Sequence, residues 1–316
     1  MKQNYIIFFI LLFCISLTAC KNRNYKEVET TPKLKMVEIP TIYSSQQEIE
    51  SYVASHFWDT MDFSDSSYLQ DKEALDLHYS SYINTLMSFP EQIAKKSIEK
   101  FTDSVLNATP PIKEYLLEII ELSLYDPNSR LRNECLYITV LNKIIQNPEF
   151  NIYLKERYRE QLQIATKNRV GEAANNFEFT TIKGKKGSLY TLPKKPTLIM
   201  FYEPDCPACE TSLEYLNNSN NIELASKSYN MIAVYTGDNM EKWEESVKDF
   251  KPYWTIAHDN NMVITIERLY DRRPSPSFYL LDKNRVVILK DALVNEIDFE
   301  ISSTLKTNNS KSSIII

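Results

Sequence analysis

The sequence predicts a helical bundle over residues 41–168 followed, over 169–306, by an α/β domain whose mixed central sheet is flanked by helices. Three observations carry this. The chain has 316 residues, a length that suits two domains of roughly 100 to 200 residues each. Its four glycines fall at Gly171, Gly184, Gly187 and Gly237, so the first 170 residues hold none. Tight hairpin turns draw on glycine for positive φ, and a meander of short strands is therefore excluded from the first half. Beyond residue 170, short apolar runs alternate with helical patterns and end in a hairpin, the signature of an α/β sandwich with a mixed sheet. Hydrophobic residues at 43% and charged residues at 25% are globular values. Lys+Arg 36 against Asp+Glu 42 gives a net charge of −6, and with no basic block among the aromatics no nucleic-acid partner is expected.

The N-terminus reads as a targeting segment. Lys2 precedes an apolar run from Tyr5 to Ile15 that is too short to cross a bilayer. Leu17-Thr18-Ala19-Cys20 resembles the bacterial lipobox. That resemblance implies a signal peptide over 1–19, cleavage before Cys20, lipidation of its sulfur and a membrane anchor; an ordinary signal peptide cut nearby is the alternative. Residues 20–40, polar and interrupted by Pro32 and Pro40, are expected to form a tether reaching about 25 Å. The expected location is the bacterial cell envelope, periplasm-facing. Lys21 after the cysteine resembles the outer-membrane sorting signal of enteric bacteria.

In the first domain the prolines fall where helices should begin. Thr109-Pro110 and Asn147-Pro148-Glu149 each place a capping side chain before a proline suited to the first helical position, and Phe89-Pro90 and Asp126-Pro127 are weaker versions. Ile112, Tyr115, Leu116, Ile119 and Ile120 follow helical spacing, and five or six helices of about 12 to 18 residues fit the segment. His56, Trp58 and His78 are the residues to suspect in a binding groove, against the alternative that they are core. Cys135 shares a helical face with Leu131 and Ile138 and reads as a small hydrophobe.

In the second domain Phe177–Ile182 and Leu189–Leu192 read as two strands around a turn, and Thr197–Tyr202 as a central strand. That strand runs into Glu203-Pro204-Asp205-Cys206-Pro207-Ala208-Cys209, and helical spacing follows from Glu210 to Lys227. A C-x-x-C at a strand-to-helix junction places its first sulfur beside unpaired N–H groups at the positive end of the helix, where a thiolate is favoured. The second cysteine lies one turn on and can close a small ring. Cys206 is thus the expected nucleophile and Cys209 the resolving thiol. Downstream come strand 230–235, helix 240–250, strand 253–257, helix 261–269, a hairpin from Ser277 to Leu289 and a last helix near Val294 to Leu305, with 307–316 as a disordered tail.

Two motifs about seventy residues apart, Cys206-Pro207-Ala208-Cys209 and Ser275-Pro276-Ser277-Phe278-Tyr279-Leu280-Leu281-Asp282, carry a resemblance to the thioredoxin superfamily. The branch it resembles is that of the TlpA/ResA-like membrane-tethered thiol-disulfide oxidoreductases. The stretch from Tyr52 to Phe63 looks like the start of a helical domain of unknown function found ahead of thioredoxin-like domains in Bacteroidetes lipoproteins. The resemblance implies a thioredoxin-like fold, a cis bond at Pro276, and a loop in which the Ser275 backbone holds substrate. Asp205, Pro207 and Ala208, around the first sulfur, are expected to meet the substrate too. It implies no cofactor beyond the Cys206/Cys209 redox disulfide, protein dithiols or disulfides as substrates, and a thiol protein as electron donor or acceptor.

Departures matter as well. Asp205 stands where the family commonly has tryptophan, and Met200 where some members carry a buried acid. Proton transfer to or from Cys209 then falls to another group, for which Glu203 is the candidate. Asp205 and Glu210 disfavour the thiolate and favour a reductase or isomerase, unless Arg272 and Arg273 fold over the site. Cys135 is left outside the pair, and a single C-x-x-C with His56, His78 and His258 elsewhere makes a poor zinc site. Peroxidase chemistry is disfavoured because Ile199 and Glu203 occupy the positions of the P-x-x-x-T-x-x-C pattern. The rival from another class is a tethered binding or adaptor module whose thioredoxin-like domain is mainly scaffold.

Overall fold

The computed structural model describes residues 32–312. The expected signal peptide, Cys20, most of the expected tether and residues 313–316 lie outside the described residues. Within 32–40 there is no regular secondary structure, yet Leu34 and Val37 pack on the helical core and the Lys35 N–H bonds Thr60 Oγ1 at 3.4 Å. Residues 34–37, expected to belong to a tether, are therefore seated on the first domain.

Six α-helices form that domain among the described residues: α1 Gln46–His56, α2 Lys72–Ser88, α3 Glu91–Leu106, α4 Pro110–Leu124, α5 Glu134–Gln146 and α6 Ile152–Ala165. Ser45 and Glu48 close a reciprocal capping box at the start of α1. Pro110 opens α4, as its fixed φ favours, but the Thr109 side chain makes no cap bond there and meets Ser66 instead. The Asn147-Pro148 signal marks something else: Asn147 ends α5, its side chain takes the Glu149 and Phe150 N–H groups in a turn, and Asn151 caps α6. Likewise Asp126-Pro127 belongs to a loop, and Asn133 caps α5. Competing Asx turns explain both shifts. Ile112, Leu116 and Ile120 are fully buried, as their spacing requires. Trp58 stacks on Phe101 at 4.5 Å and meets His78 edge-on at 4.9 Å. These are core contacts, and burial lowers the His78 pKa. His56 instead pairs with Asp59 at the surface. The structure thus places Trp58 and His78 in the core and His56 apart from them at the surface.

The second domain is built on a seven-stranded mixed sheet in the order β2-β1-β5-β4-β3-β6-β7. The strands are β1 Glu178–Thr181, β2 Lys186–Ser188, β3 Thr197–Tyr202, β4 Asn230–Tyr235, β5 Trp254–His258, β6 Ser277–Leu281 and β7 Val287–Ala292. β3, β4 and β5 run parallel, while β6 is antiparallel to β3 and β7 to β6. Alternation along β3 sends Leu198, Met200 and Tyr202 to one face and Ile199 and Phe201 to the other. Helices α7 Pro207–Asn218, α8 Asn220–Ala225, α9 Met240–Ser246, α10 Val263–Ile266 and α11 Val294–Ser312 cover the sheet.

Four expectations need correction. The second strand is Lys186–Ser188, and Leu189–Thr191 is a 3₁₀ turn closed by Ser188 and Thr191. The long helix after the cysteines breaks at Ser219, whose side chain caps α8. Only one turn forms within 261–269, because Met262 is left-handed and the Asp259 side chain caps Ile264. The last helix runs on to Ser312, so residues 307–312 are helical.

Arg285 was not singled out by the sequence. Buried at the β6–β7 turn, its guanidinium donates to the Leu189, Leu192, Pro193 and Lys195 carbonyls and to Thr197 Oγ1 at 2.8–3.0 Å. All five donors of the group are thereby used, and the loop entering β3 is fixed.

The domains meet along β7 and the segment before β6. Lys290 Nζ reaches Glu134 at 2.6 Å and the carbonyls of Ala165 and Lys167 at 2.9 and 2.7 Å. Arg132 lies 3.0 Å from Asp291, whose carboxyl is pushed up to about 7 by burial. Residues 171–174 run beside β7 with alternating backbone bonds and cover that sheet edge.

Candidate active site

β3 ends at Tyr202 and delivers the chain to the loop Glu203-Pro204-Asp205 at the carboxyl end of the parallel strands. Asp205 has φ +58°, a left-handed conformation that aspartate tolerates better than most residues. Its carboxylate is 2.5 Å from Lys242 Nζ on α9. Cys206 is the N-cap of α7 and Pro207 begins the helix. The Cys209 N–H donates to Cys206 Sγ at 3.2 Å, a direct use of an otherwise unpaired helix donor. Pro207 and Ala208 are exposed beside it.

The second motif closes over the pair. Ser275–Pro276 is cis. The Cys206 thiol points at the Ser275 carbonyl at 3.6 Å, and Cys209 Sγ lies 3.2 Å from Ser275 Oγ. Both cysteines are free thiols; Cys206 is half-buried and Cys209 buried. Burial pushes the Cys209 thiol up to about 12, opposed by the Ser275 hydroxyl and the Glu203 backbone N–H. Ser275 itself is exposed.

Glu203 is half-buried, and burial raises its carboxyl pKa against the pull of Arg272. It is the Glu203 backbone that meets Cys209; no hydrogen bond joins its carboxyl to either sulfur among the described residues. Glu203 and Cys209 both line an open groove of about 720 Å³, together with Met200, Asp205, Lys242 and Phe250. Neither arginine covers the thiols. Arg272 donates to Thr236 and Thr265, and Arg273 forks onto Asp271 at 2.6–3.1 Å. The offset they would have provided is absent because buried partners hold them elsewhere.

Cys206, Cys209, Ser275 and Pro276 thus converge from positions distant in sequence, with Glu203 beside them and Asp205, Pro207 and Ala208 on the rim. Two features escaped the sequence reading. The Ser275 hydroxyl touches the resolving sulfur, although only its backbone was expected to act. Lys242 neutralises Asp205 from a helix whose apolar pattern says nothing of its neighbours. Among the described residues no cluster of three metal-ligating side chains occurs.

Residues 14–168 match the domain of unknown function DUF5106, and residues 170–290 match the AhpC/TSA family. A thioredoxin-like protein from Bacteroides caccae, solved by crystallography, is 29% identical and superposes with a TM-score of 0.81 over 86% of this chain and 99% of its own. The likeness therefore covers both domains and their arrangement. The thiol-disulfide oxidoreductase ResA of Bacillus cereus is 27% identical over 124 residues, which span 39% of this chain and 70% of ResA. Residues 170–290 form an AhpC/TSA-family, thioredoxin-like domain of the kind found in thiol-disulfide oxidoreductases. The C-terminal domain of an uncharacterised Bacteroides fragilis protein is 36% identical over 43% of this chain and 98% of that one, with a TM-score of 0.41. Within this family setting, the helical domain fused ahead of the redox pair is the part without an assigned chemistry.

Proposed function

We propose that this thioredoxin-like protein reduces or isomerises disulfides in proteins of the bacterial cell envelope, held at the membrane through lipid on Cys20. The observation that carries the reading is the pair of free thiols at a helix N-terminus with Ser275 in contact with both. In the forward direction the Cys206 thiolate attacks one sulfur of the substrate disulfide, forming a mixed disulfide and expelling the other substrate sulfur as a thiolate that takes up a proton. Cys209 then gives up its proton, and its thiolate attacks Cys206 Sγ. The second substrate thiol leaves, the substrate has gained two electrons, and Cys206–Cys209 is oxidised. A thiol protein must reduce the pair again before the next turnover.

Deprotonating Cys209 is the hard step, since burial pushes its thiol up to about 12. Ser275 Oγ, 3.2 Å away, is positioned to donate a hydrogen bond to the thiolate as it forms, while Glu203, which lines the same groove as Cys209, takes the proton. The reducing direction is supported by the engagement of both nearby arginines elsewhere, which leaves neither over the sulfurs; Asp205 is met by Lys242 and adds nothing to it. The lipid anchor rests on Leu17-Thr18-Ala19-Cys20. No helix among the described residues is long and apolar enough to cross a membrane.

The test is a trap. Cys209→Ser should accumulate a mixed disulfide between Cys206 and a protein substrate, seen as a covalent adduct on a non-reducing gel and released by dithiothreitol. Absence of any adduct while native protein turns the substrate over would contradict the order of attack.

A further inference from the structure

The exposed, substrate-facing Ser275 hangs from a short segment, residues 271–277, that is fixed at both ends. At one end Asp271 is buried, its backbone carbonyl accepts the Tyr279 hydroxyl at 2.9 Å, and its carboxylate holds the Arg273 fork. At the other end Ser277 pairs with Phe201 of β3, and its Oγ donates back to the Pro274 carbonyl at 2.5 Å. Between them the Arg273 side chain leaves its own domain. Nη1 donates to the Tyr125 carbonyl at 2.9 Å, and the guanidinium carbon lies 3.4 Å from the centre of the Tyr125 ring. Tyr125 ends α4 of the helical domain, stacks on Tyr137 at 4.6 Å, and Tyr137 bonds Gln161 on α6 at 2.8 Å. A chain of packed and hydrogen-bonded groups therefore runs from the helical core to a point two residues from Ser275.

We infer that the helical domain is a positioning element of the redox site, with Tyr125 holding Arg273 and so fixing the loop that presents Ser275 to both sulfurs and to the substrate backbone. This rests on the disulfide exchange proposed above and gives the helical domain a part in it. Tyr125 touches neither sulfur, so it acts through Arg273. The geometry is specific to the ring face: planar stacking of a guanidinium on an aromatic, backed by a carbonyl bond that any residue at 125 retains. Neighbouring bridges, Lys290–Glu134 and Arg132–Asp291, hold the domains together and act on Asp271 and Arg273 only through their charge, with no hydrogen bond to residues 271–277.

The experiment compares Tyr125→Phe and Tyr125→Leu in the full chain in detergent, with a melting curve to establish folding. Tyr125→Met serves as a second ring-free variant if the leucine protein does not fold. Three readouts are taken: KM and kcat for reduction of a protein disulfide such as insulin, the equilibrium constant of the Cys206–Cys209 pair against glutathione, and the amide resonances of Ser275 and Ser277 in the reduced protein. Loss of the ring should raise KM about fivefold with kcat changed less than about twofold, and shift the glutathione equilibrium about threefold. It should also move both amide resonances, while Tyr125→Phe behaves as the native protein. A ring-free variant that melts earlier but keeps native resonances and a native equilibrium constant would overturn the inference and leave Tyr125 as packing alone. Should native protein reduce no disulfide, the proposed reaction fails, and the resonances still decide whether Tyr125 positions the loop.

Discussion

Replacing Cys206 with serine is expected to lower protein-disulfide reduction by at least about a thousandfold, because a hydroxyl neither ionises near neutral pH nor forms the mixed disulfide on which the exchange depends. The loss should come without loss of fold. Cys206 is half-buried and acts as an N-cap, accepting the Cys209 N–H at 3.2 Å, and serine is a better N-cap than cysteine. Melting should therefore be unchanged. Cys135 offers no substitute: it sits in the helical domain on α5, 3.3 Å from Glu91, with its thiol pushed up by burial. The measurement is insulin reduction driven by dithiothreitol, corrected for the uncatalysed rate. Native turnover by Cys206→Ser would move the chemistry off this sulfur and favour the tethered binding module.

Replacing Lys290 with methionine should cost about 3 kcal/mol of stability, among the largest losses a single exchange in this chain would bring. The ammonium is 4% exposed, pairs with Glu134 at 2.6 Å and bonds the Ala165 and Lys167 carbonyls. Methionine fills the space of the stem and leaves the carboxylate and both carbonyls without their donor. Burial already raises the Glu134 pKa, with Lys290 opposing the rise. Removing Lys290 raises it further, so the variant's loss shrinks as pH falls and Glu134 takes up a proton. Adding Glu134→Leu should recover part of the loss at neutral pH. Denaturant melts of the three proteins at two pH values give the comparison. An unchanged midpoint for Lys290→Met would mean that the two domains do not dock through this bridge.

Much of the site was legible before the fold. The strand-to-helix junction at Tyr202–Pro207 and the loop at Ser275-Pro276 announce themselves because backbone geometry needs those residue types there, and the structure brings both motifs onto the same two sulfurs. The central strand β3, buried along its whole length and apolar from Leu198 to Phe201, was equally plain, since a strand covered on both faces is built mainly of apolar residues. What failed was local competition. Asn147 and Asp126 carry the side chains of helix caps but spend them on turns, and Ser219 cuts a helix whose apolar spacing continues through it. What was invisible was tertiary: Arg285 binding four carbonyls, Lys242 pairing with Asp205, and Arg273 turning away from the thiols toward Tyr125. No periodicity encodes such partners, because each arises only once distant segments have met.

The central claim is that Cys206 and Cys209 form one reversible redox couple. The most direct measurement equilibrates the full chain in detergent with glutathione buffers of graded poise and reads the alkylation mass shift of each cysteine. The account predicts a single two-electron transition shared by Cys206 and Cys209, with Cys135 alkylated independently of it, and a potential nearer the thioredoxin value of about −270 mV than the oxidant value of about −120 mV. A value near the latter would reverse the direction of electron flow proposed here, and failure of the pair to form at any poise would contradict the claim itself.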